Sequence, residues 1–234
     1  MILSDRALKE RLIANPEEIE QAKEWWKEGD WNKIAGRMVI SPFTPQNVGV
    51  CSYDLSVGEE YVSLRDPYNT KDLAEGKAIQ IEPGETVLIL TEEYVCLPRN
   101  IMGSIVPRAR WIFEGTAIGA SRVEPTWYGK LLVGFTNLAK SPVALFRGDA
   151  FCTCYWLETS NTEMVLTQDK VHFLGRTNIG RIEFGHARPQ RLLEAEAVTL
   201  NDLERAVETY GTPWDIVRGA LLLTKKELED YVDR

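Results

Sequence analysis

The feature that most constrains this chain is the stretch of residues 38–158, where short β-rich runs follow one another with turn residues between them. Segments 78–82, 86–90, 103–106, 130–137, 143–146 and 150–157 are rich in branched, aliphatic and aromatic residues, which suit a pleated, half-buried surface. Pro83-Gly84 and Arg147-Gly148 supply turns between them. Many short strands at this spacing predict a sandwich or barrel. The lack of helical patterns between the strands argues against a parallel α/β sheet, whose strands need crossover helices.

Both ends of the chain read differently. Ser4 can cap a helix over 5–14, and Pro16 can open a second that runs on to Trp25 and Trp26, since proline suits the first helical position. Trp25, Trp26 and Trp31 make this segment sticky; docking on the sheet core is the expectation, a partner-binding face the alternative. Beyond residue 190, Thr199 with Asp202, Thr212 with Pro213 and Asp215, and Thr224 with Glu227 mark three helix starts, each a capping-type arrangement. The expected organisation is a β domain over 1–190 with helices at about 5–36, then a helical extension over 191–234. That extension is not basic, so packing on the core or between subunits is expected of it rather than DNA binding.

The 234 residues are 44% hydrophobic and 26% charged, a composition that folds. A net charge of -8 disfavours broad attachment to nucleic acid or anionic lipid, both polyanions. No run approaches the roughly 20 apolar residues of a membrane helix, and Met1-Ile2-Leu3-Ser4-Asp5-Arg6 lacks the order of a signal peptide. A cytoplasmic location without membrane partners is expected. Cys51, Cys96, Cys152 and Cys154 read as free thiols. Cys152 and Cys154 would share a strand face as half of a metal site, but His172 and His186 are the only histidines. The signature of zinc deaminases is absent, so any deamination would be metal-free at the water.

Several segments, in order, carry a resemblance. They are Met1-Ile2-Leu3-Ser4-Asp5, Val48-Gly49-Val50-Cys51-Ser52-Tyr53-Asp54-Leu55 with Val57-Gly58, and Ile81-Glu82-Pro83-Gly84-Glu85. Thr91-Glu92-Glu93-Tyr94-Val95 with Leu97-Pro98 and Arg122-Val123-Glu124-Pro125-Thr126-Trp127-Tyr128-Gly129 complete the series. The last is similar to the R-[IV]-D-P-G-W-x-G element of the trimeric dUTPase/dCTP deaminase superfamily, and the whole resembles a divergent archaeal-type dCTP deaminase. The resemblance implies a mainly β, distorted barrel or jelly roll of the dUTPase type. It also implies a homotrimer with intersubunit sites for dUTP or dCTP, and magnesium bound through the triphosphate.

Residue by residue, the resemblance makes Glu124 the water-orienting acid, one methylene longer than the usual Asp; a surface turn residue before Pro125 is the alternative. Arg122, Trp127, Asn137 and Lys170 match nucleotide-binding positions. Where the family has R-S-S-x-x-R, this chain has Ile105-Val106-Pro107-Arg108-Ala109-Arg110: both serines are gone, and Pro107 removes a backbone donor. Arg108 and Arg110, read as two apart on one strand face, either clamp phosphate or pair with acids at a subunit interface. Gly148 keeps the fourth motif's turn, while Thr153 stands for its glutamine. The family's deaminating glutamate falls on Gly134, and glycine cannot move a proton. Tyr53 and Asp54 are read as either site or scaffold. The expected function is dUTPase-like hydrolysis of dUTP to dUMP and diphosphate, with dCTP deamination or a noncatalytic nucleotide-binding role as alternatives.

Overall fold

The computed structural model describes residues 1–119, 122–168, 171 and 173–180; the expected helical extension over 191–234, Lys170, His172 and His186 lie outside the described residues. Three helices come first: α1 (Asp5–Arg11), α2 (Pro16–Glu28) and α3 (Trp31–Ile34). The Ser4 hydroxyl accepts from the Ala7 amide at the start of α1, and the Asn15 side chain accepts from the Glu17 amide ahead of Pro16. Gly29, at φ 70, ends α2, a left-handed position that favours glycine.

Then follow β1 (Val39–Ser41), β2 (Tyr53–Ser63), β3 (Lys71–Asp72), β4 (Ala78–Ile81), β5 (Thr86–Cys96) and β6 (Ile101–Pro107). After helix α4 (Ala109–Phe113) come β7 (Thr116–Gly119), β8 (Arg122–Val123), β9 (Tyr128–Asn137), β10 (Val143–Phe146) and β11 (Ala150–Glu158). Nine strands form one antiparallel sheet in the order β7-β9-β5-β2-β11-β6-β8, with β1 on β5 and β3 on β2, while β4 and β10 form a separate ribbon. The fold is mainly β, as the alternating runs require.

The sheet curls around one core. Tyr53, Leu55 and Val57 of β2, Val87 and Ile89 of β5, Val133 and Phe135 of β9, and Cys152, Cys154 and Trp156 of β11 all belong to it. Their two-residue spacing is the period of a strand with one face inward. A second, smaller cluster seats the N-terminal helices against Tyr94 and Cys96 of β5. Trp26 is its anchor: it is buried, and its indole N–H donates to the Leu97 carbonyl at 2.7 Å. The tryptophans of α2 and α3 thus dock on the sheet. All four cysteines are free thiols, three of them buried.

Candidate functional site

The segment Arg122–Gly129 leaves β8 and enters β9 through a tight loop. Val123 is buried opposite Gly103 of β6, and Arg122 stands opposite Ser104. Glu124 follows at the surface, where the Arg122 guanidinium pairs with its carboxylate. The Trp127 amide closes the loop on the Glu124 carbonyl at 3.2 Å, and the Trp127 carbonyl accepts from Leu97 at 2.8 Å. The Trp127 indole packs on the main core and donates to the Gly129 carbonyl at 3.1 Å. Trp127 therefore holds the loop from below, while Glu124 faces outward.

The glycine at the end of this element has a packing reason. A Cβ on Gly129, which sits at φ 129, would lie 3.1–3.2 Å from backbone atoms of Gly175 and Arg176. Those residues belong to a segment after β11 that runs along the start of β9: Gly175 donates to the Tyr128 carbonyl at 2.7 Å, and Lys130 to the Arg176 carbonyl at 2.9 Å. Only a residue without a side chain allows the two backbones to lie so close.

The arginines expected on one strand face are not placed that way. β6 ends at Pro107, which has no N–H to continue the ladder, and Arg108 caps the start of α4, which contains Arg110. Arg108 turns inward: it pairs with Asp54 at 3.0 Å and donates to the Ala150 carbonyl at 2.8 Å. The Trp111 indole donates to the same carbonyl at 3.1 Å, and the Thr153 hydroxyl donates to Asp54 at 2.6 Å. Arg110 turns outward, over the Trp111 ring at 4.8 Å and paired with Glu114 at 3.3 Å. Each arginine finds an acid within its own chain.

Glu124 and Arg108 do not meet in one chain. Val123 pairs with Gly103, five residues before Arg108, a separation of roughly 17 Å along an extended strand. Asn137, at the end of β9, is wholly buried. Its Nδ2 donates to the carbonyls of Ile81 and Ser141 at 2.9 and 2.8 Å, and its Oδ1 accepts from the Ala139 amide at 2.9 Å. Those bonds tie β9 to β4 and to the turn into β10.

Gly134 lies on the face of β9 opposite the core, paired with Leu88 and Gly119. A Cβ there would lie 3.2 Å from the Gly119 carbonyl oxygen. This position holds no acid, and a side chain here would crowd the Gly119 carbonyl.

Two features were not singled out by residue type. Thr126 sits at φ 68 and is buried, with its hydroxyl accepting from the Leu166 amide at 2.8 Å. Glu93 is buried in β5, where Oε2 accepts from the Ser56 amide at 2.9 Å. Burial pushes its carboxyl up to about 7. Burial likewise pushes the Tyr53 phenol up to about 12, with its oxygen accepting from the Thr44 amide at 3.0 Å. The acid-rich run Thr91-Glu92-Glu93 inside an apolar strand was the available signal for Glu93.

Comparison with known proteins agrees with the motif order. A dCTP deaminase from Thermococcus gammatolerans is 35% identical over 123 residues, covering 52% of this chain and 75% of its own length. A dUMP-forming dCTP deaminase from Methanobrevibacter smithii is 28% identical over 136 residues, covering 50% and 70%. Among solved structures, the 2'-deoxycytidine 5'-triphosphate deaminase of Agrobacterium tumefaciens aligns over 68% of this chain with TM-score 0.49 and 15% identity. The chain spans 49% of that protein's length. The EIAV dUTPase aligns over 50% of this chain and 98% of its own, with TM-score 0.35 and 19% identity. Residues 31–155 match the dCTP deaminase-like family, and with just over half its length inside that match, the chain belongs to this family.

Proposed function

We propose that this protein handles a pyrimidine deoxynucleoside triphosphate and acts on the phosphate chain rather than the base, hydrolysing dUTP to dUMP and diphosphate. The observation that carries the reading is the contrast between two positions. Gly134 offers no group to move a proton to or from a ring, whereas Glu124 keeps a surface carboxylate oriented by Arg122. A carboxylate within reach of a water is a general base.

In this reaction Glu124 takes a proton from water as the water oxygen bonds to the α-phosphorus; the bond from that phosphorus to its bridging oxygen breaks, and diphosphate leaves. Arg110, two-thirds exposed, over the Trp111 ring and paired at the surface with Glu114, is the arginine of this segment open to phosphate oxygens. Trp127 shapes the loop from below, and Lys170 would add a second phosphate contact. The homotrimer with intersubunit sites that the family resemblance implies would let Glu124 of one copy and Arg110 of another serve one nucleotide. Among the described residues no three His, Cys, Asp or Glu side chains could hold a metal by themselves. Magnesium bound through the triphosphate, as the family resemblance implies, would neutralise charge there.

One observation favours a second reading, nucleotide binding without turnover: Arg108 is already committed to Asp54 and the Ala150 carbonyl. The test is incubation of the protein with each deoxynucleoside triphosphate and magnesium, then chromatography that scores base change and phosphate loss separately. Diphosphate from dUTP, absent in Glu124→Gln, supports hydrolysis. Calorimetric binding with no turnover supports the second reading, and ammonia from dCTP overturns both.

A further inference from the structure

Thr126 occupies a conformation that β-branched residues avoid. At φ 68 its Cβ crowds the backbone, and the related family element has glycine at this place. Such strain persists where surrounding contacts over-determine the residue. Here the contacts can be named.

The loop carrying Glu124 is one of three segments fastened together. The turn after β5 receives it: the Thr126 amide donates to the Pro98 carbonyl at 3.3 Å, and Leu97 donates to Trp127 at 2.8 Å. The segment after β11 is fastened to the same turn, with Thr159 donating to Asn100 at 2.9 Å and Thr162 to Arg99 at 3.0 Å. The Arg99 side chain returns two bonds, to the carbonyls of Thr162 at 2.6 Å and Glu163 at 2.9 Å. Three residues later the Leu166 amide reaches the Thr126 hydroxyl at 2.8 Å. A glycine in the same left-handed position would relieve the strain and leave that amide without this acceptor.

We propose that Thr126 is a positioning residue for Glu124. Its hydroxyl tethers the segment around Leu166 to the Glu124–Trp127 turn, fixing the carboxylate before any ligand arrives. The role in turnover rests on the hydrolase reading above; the tether itself does not. Thr126 touches no reacting atom. It acts through the turn, trading backbone freedom for a fixed place for the acid.

The experiment compares Thr126→Val, Thr126→Ser and Thr126→Gly in the full chain. Valine keeps the branch and its strain and removes only the hydroxyl, serine keeps the hydroxyl, and glycine removes both. In native-state hydrogen exchange, the Leu166 and Trp127 amides should exchange about tenfold faster or more in the valine and glycine variants, and at the original rate in serine. With dUTP as substrate, kcat should fall in the valine variant with KM nearly unchanged, and serine should restore it. Unchanged protection of Leu166 in both the valine and glycine variants overturns the tether. Faster exchange with unchanged kcat overturns the positioning role. No turnover by the unmodified protein defeats the hydrolase reading instead, and the two amides then decide the tether alone.

Discussion

Gly134 on β9 faces Gly119 on β7 so closely that a side chain at Gly134 would begin 3.2 Å from the Gly119 carbonyl oxygen and 3.6 Å from its Cα. Restoring an acid at this position therefore does not restore a deaminase. Gly134→Glu crowds the Gly119 carbonyl, so β7 must give by a few tenths of an ångström, and overpacking of this kind costs about 1–3 kcal/mol. The expected result is a lower unfolding midpoint and no ammonia from dCTP. A stable Gly134→Glu protein that deaminates dCTP would refute the argument.

The Asp54–Arg108 pair should behave as a clasp between β2 and the start of α4. Both side chains are mostly buried, at 23% and 33% exposure, and both have further hydrogen bonds to keep them in place. A double-mutant cycle with Asp54→Asn and Arg108→Gln should give a coupling of about 0.5–2 kcal/mol, above that of a fully exposed pair. Urea unfolding of the four proteins measures it. Zero coupling would mean that Arg108 is free to bind phosphate, and the nonturnover reading would lose its main support.

How much of this was legible in the sequence depended on whether chemistry and local pattern agreed. The run 130–137 is apolar enough to read as a strand, with Leu131, Val133 and Phe135 inward, and β9 is found there as Tyr128–Asn137. β2 was not separated as a strand because Gly58, Glu59 and Glu60 interrupt its apolar rhythm; the register with β5 shifts between Val57 and Tyr61 at that place. β5 runs on past Leu90 to Cys96 for a related reason. Thr91, Glu92 and Glu93 look like a turn, yet Thr91 donates to the Glu93 carbonyl and accepts from the Leu131 amide, bridging the irregular ladder. At the candidate site, the ordered motif singled out Glu124 and Gly134, with a surface turn residue as the other reading of Glu124. The separation of Arg108 from Arg110 was hidden because one residue decides whether a strand continues or turns into a helix, and Pro107 is that residue. The partners Asp54, Thr153 and Leu166 lie far away in sequence, so no local pattern could pair them.

Glu93 gives the protein a pH dependence of definite sign. The Ser56 amide, the backbone amide of Glu93 itself and the Ser56 hydroxyl stabilise the charged form of its carboxyl, and the neighbouring Glu92 does not; Tyr53 and Cys152 feel its charge from β2 and β11. Burial dominates and raises the carboxyl from the ordinary glutamate value of 4.5 to about 7. A raised folded value means that the protonated acid stabilises the fold fully below about 4.5 and that this contribution is lost as pH rises through 7, a difference of roughly 3 kcal/mol in all. Unfolding midpoints of the unmodified protein and Glu93→Gln should therefore diverge between pH 5 and 8, with glutamine the less pH-sensitive. Parallel curves would place a counter-charge beside Glu93.

Asn137 separates scaffold from ligand contact. Its amide group is spent on three backbone partners, the carbonyls of Ile81 and Ser141 and the amide of Ala139, and none of the side chain reaches solvent. Asn137→Ala leaves those three groups without their partner in the interior, which costs about 2–4 kcal/mol. Asn137→Asp should be worse at neutral pH, because a carboxylate oxygen replaces the donor facing two carbonyl oxygens. Thermal unfolding with and without dUTP distinguishes the roles: a scaffold residue lowers the midpoint of the free protein and leaves the ligand-induced shift intact. A ligand contact does the reverse. If Asn137→Ala unfolds at the original temperature and loses the shift, the carbonyls of Ile81 and Ser141 must find other donors and the side chain must turn towards the nucleotide.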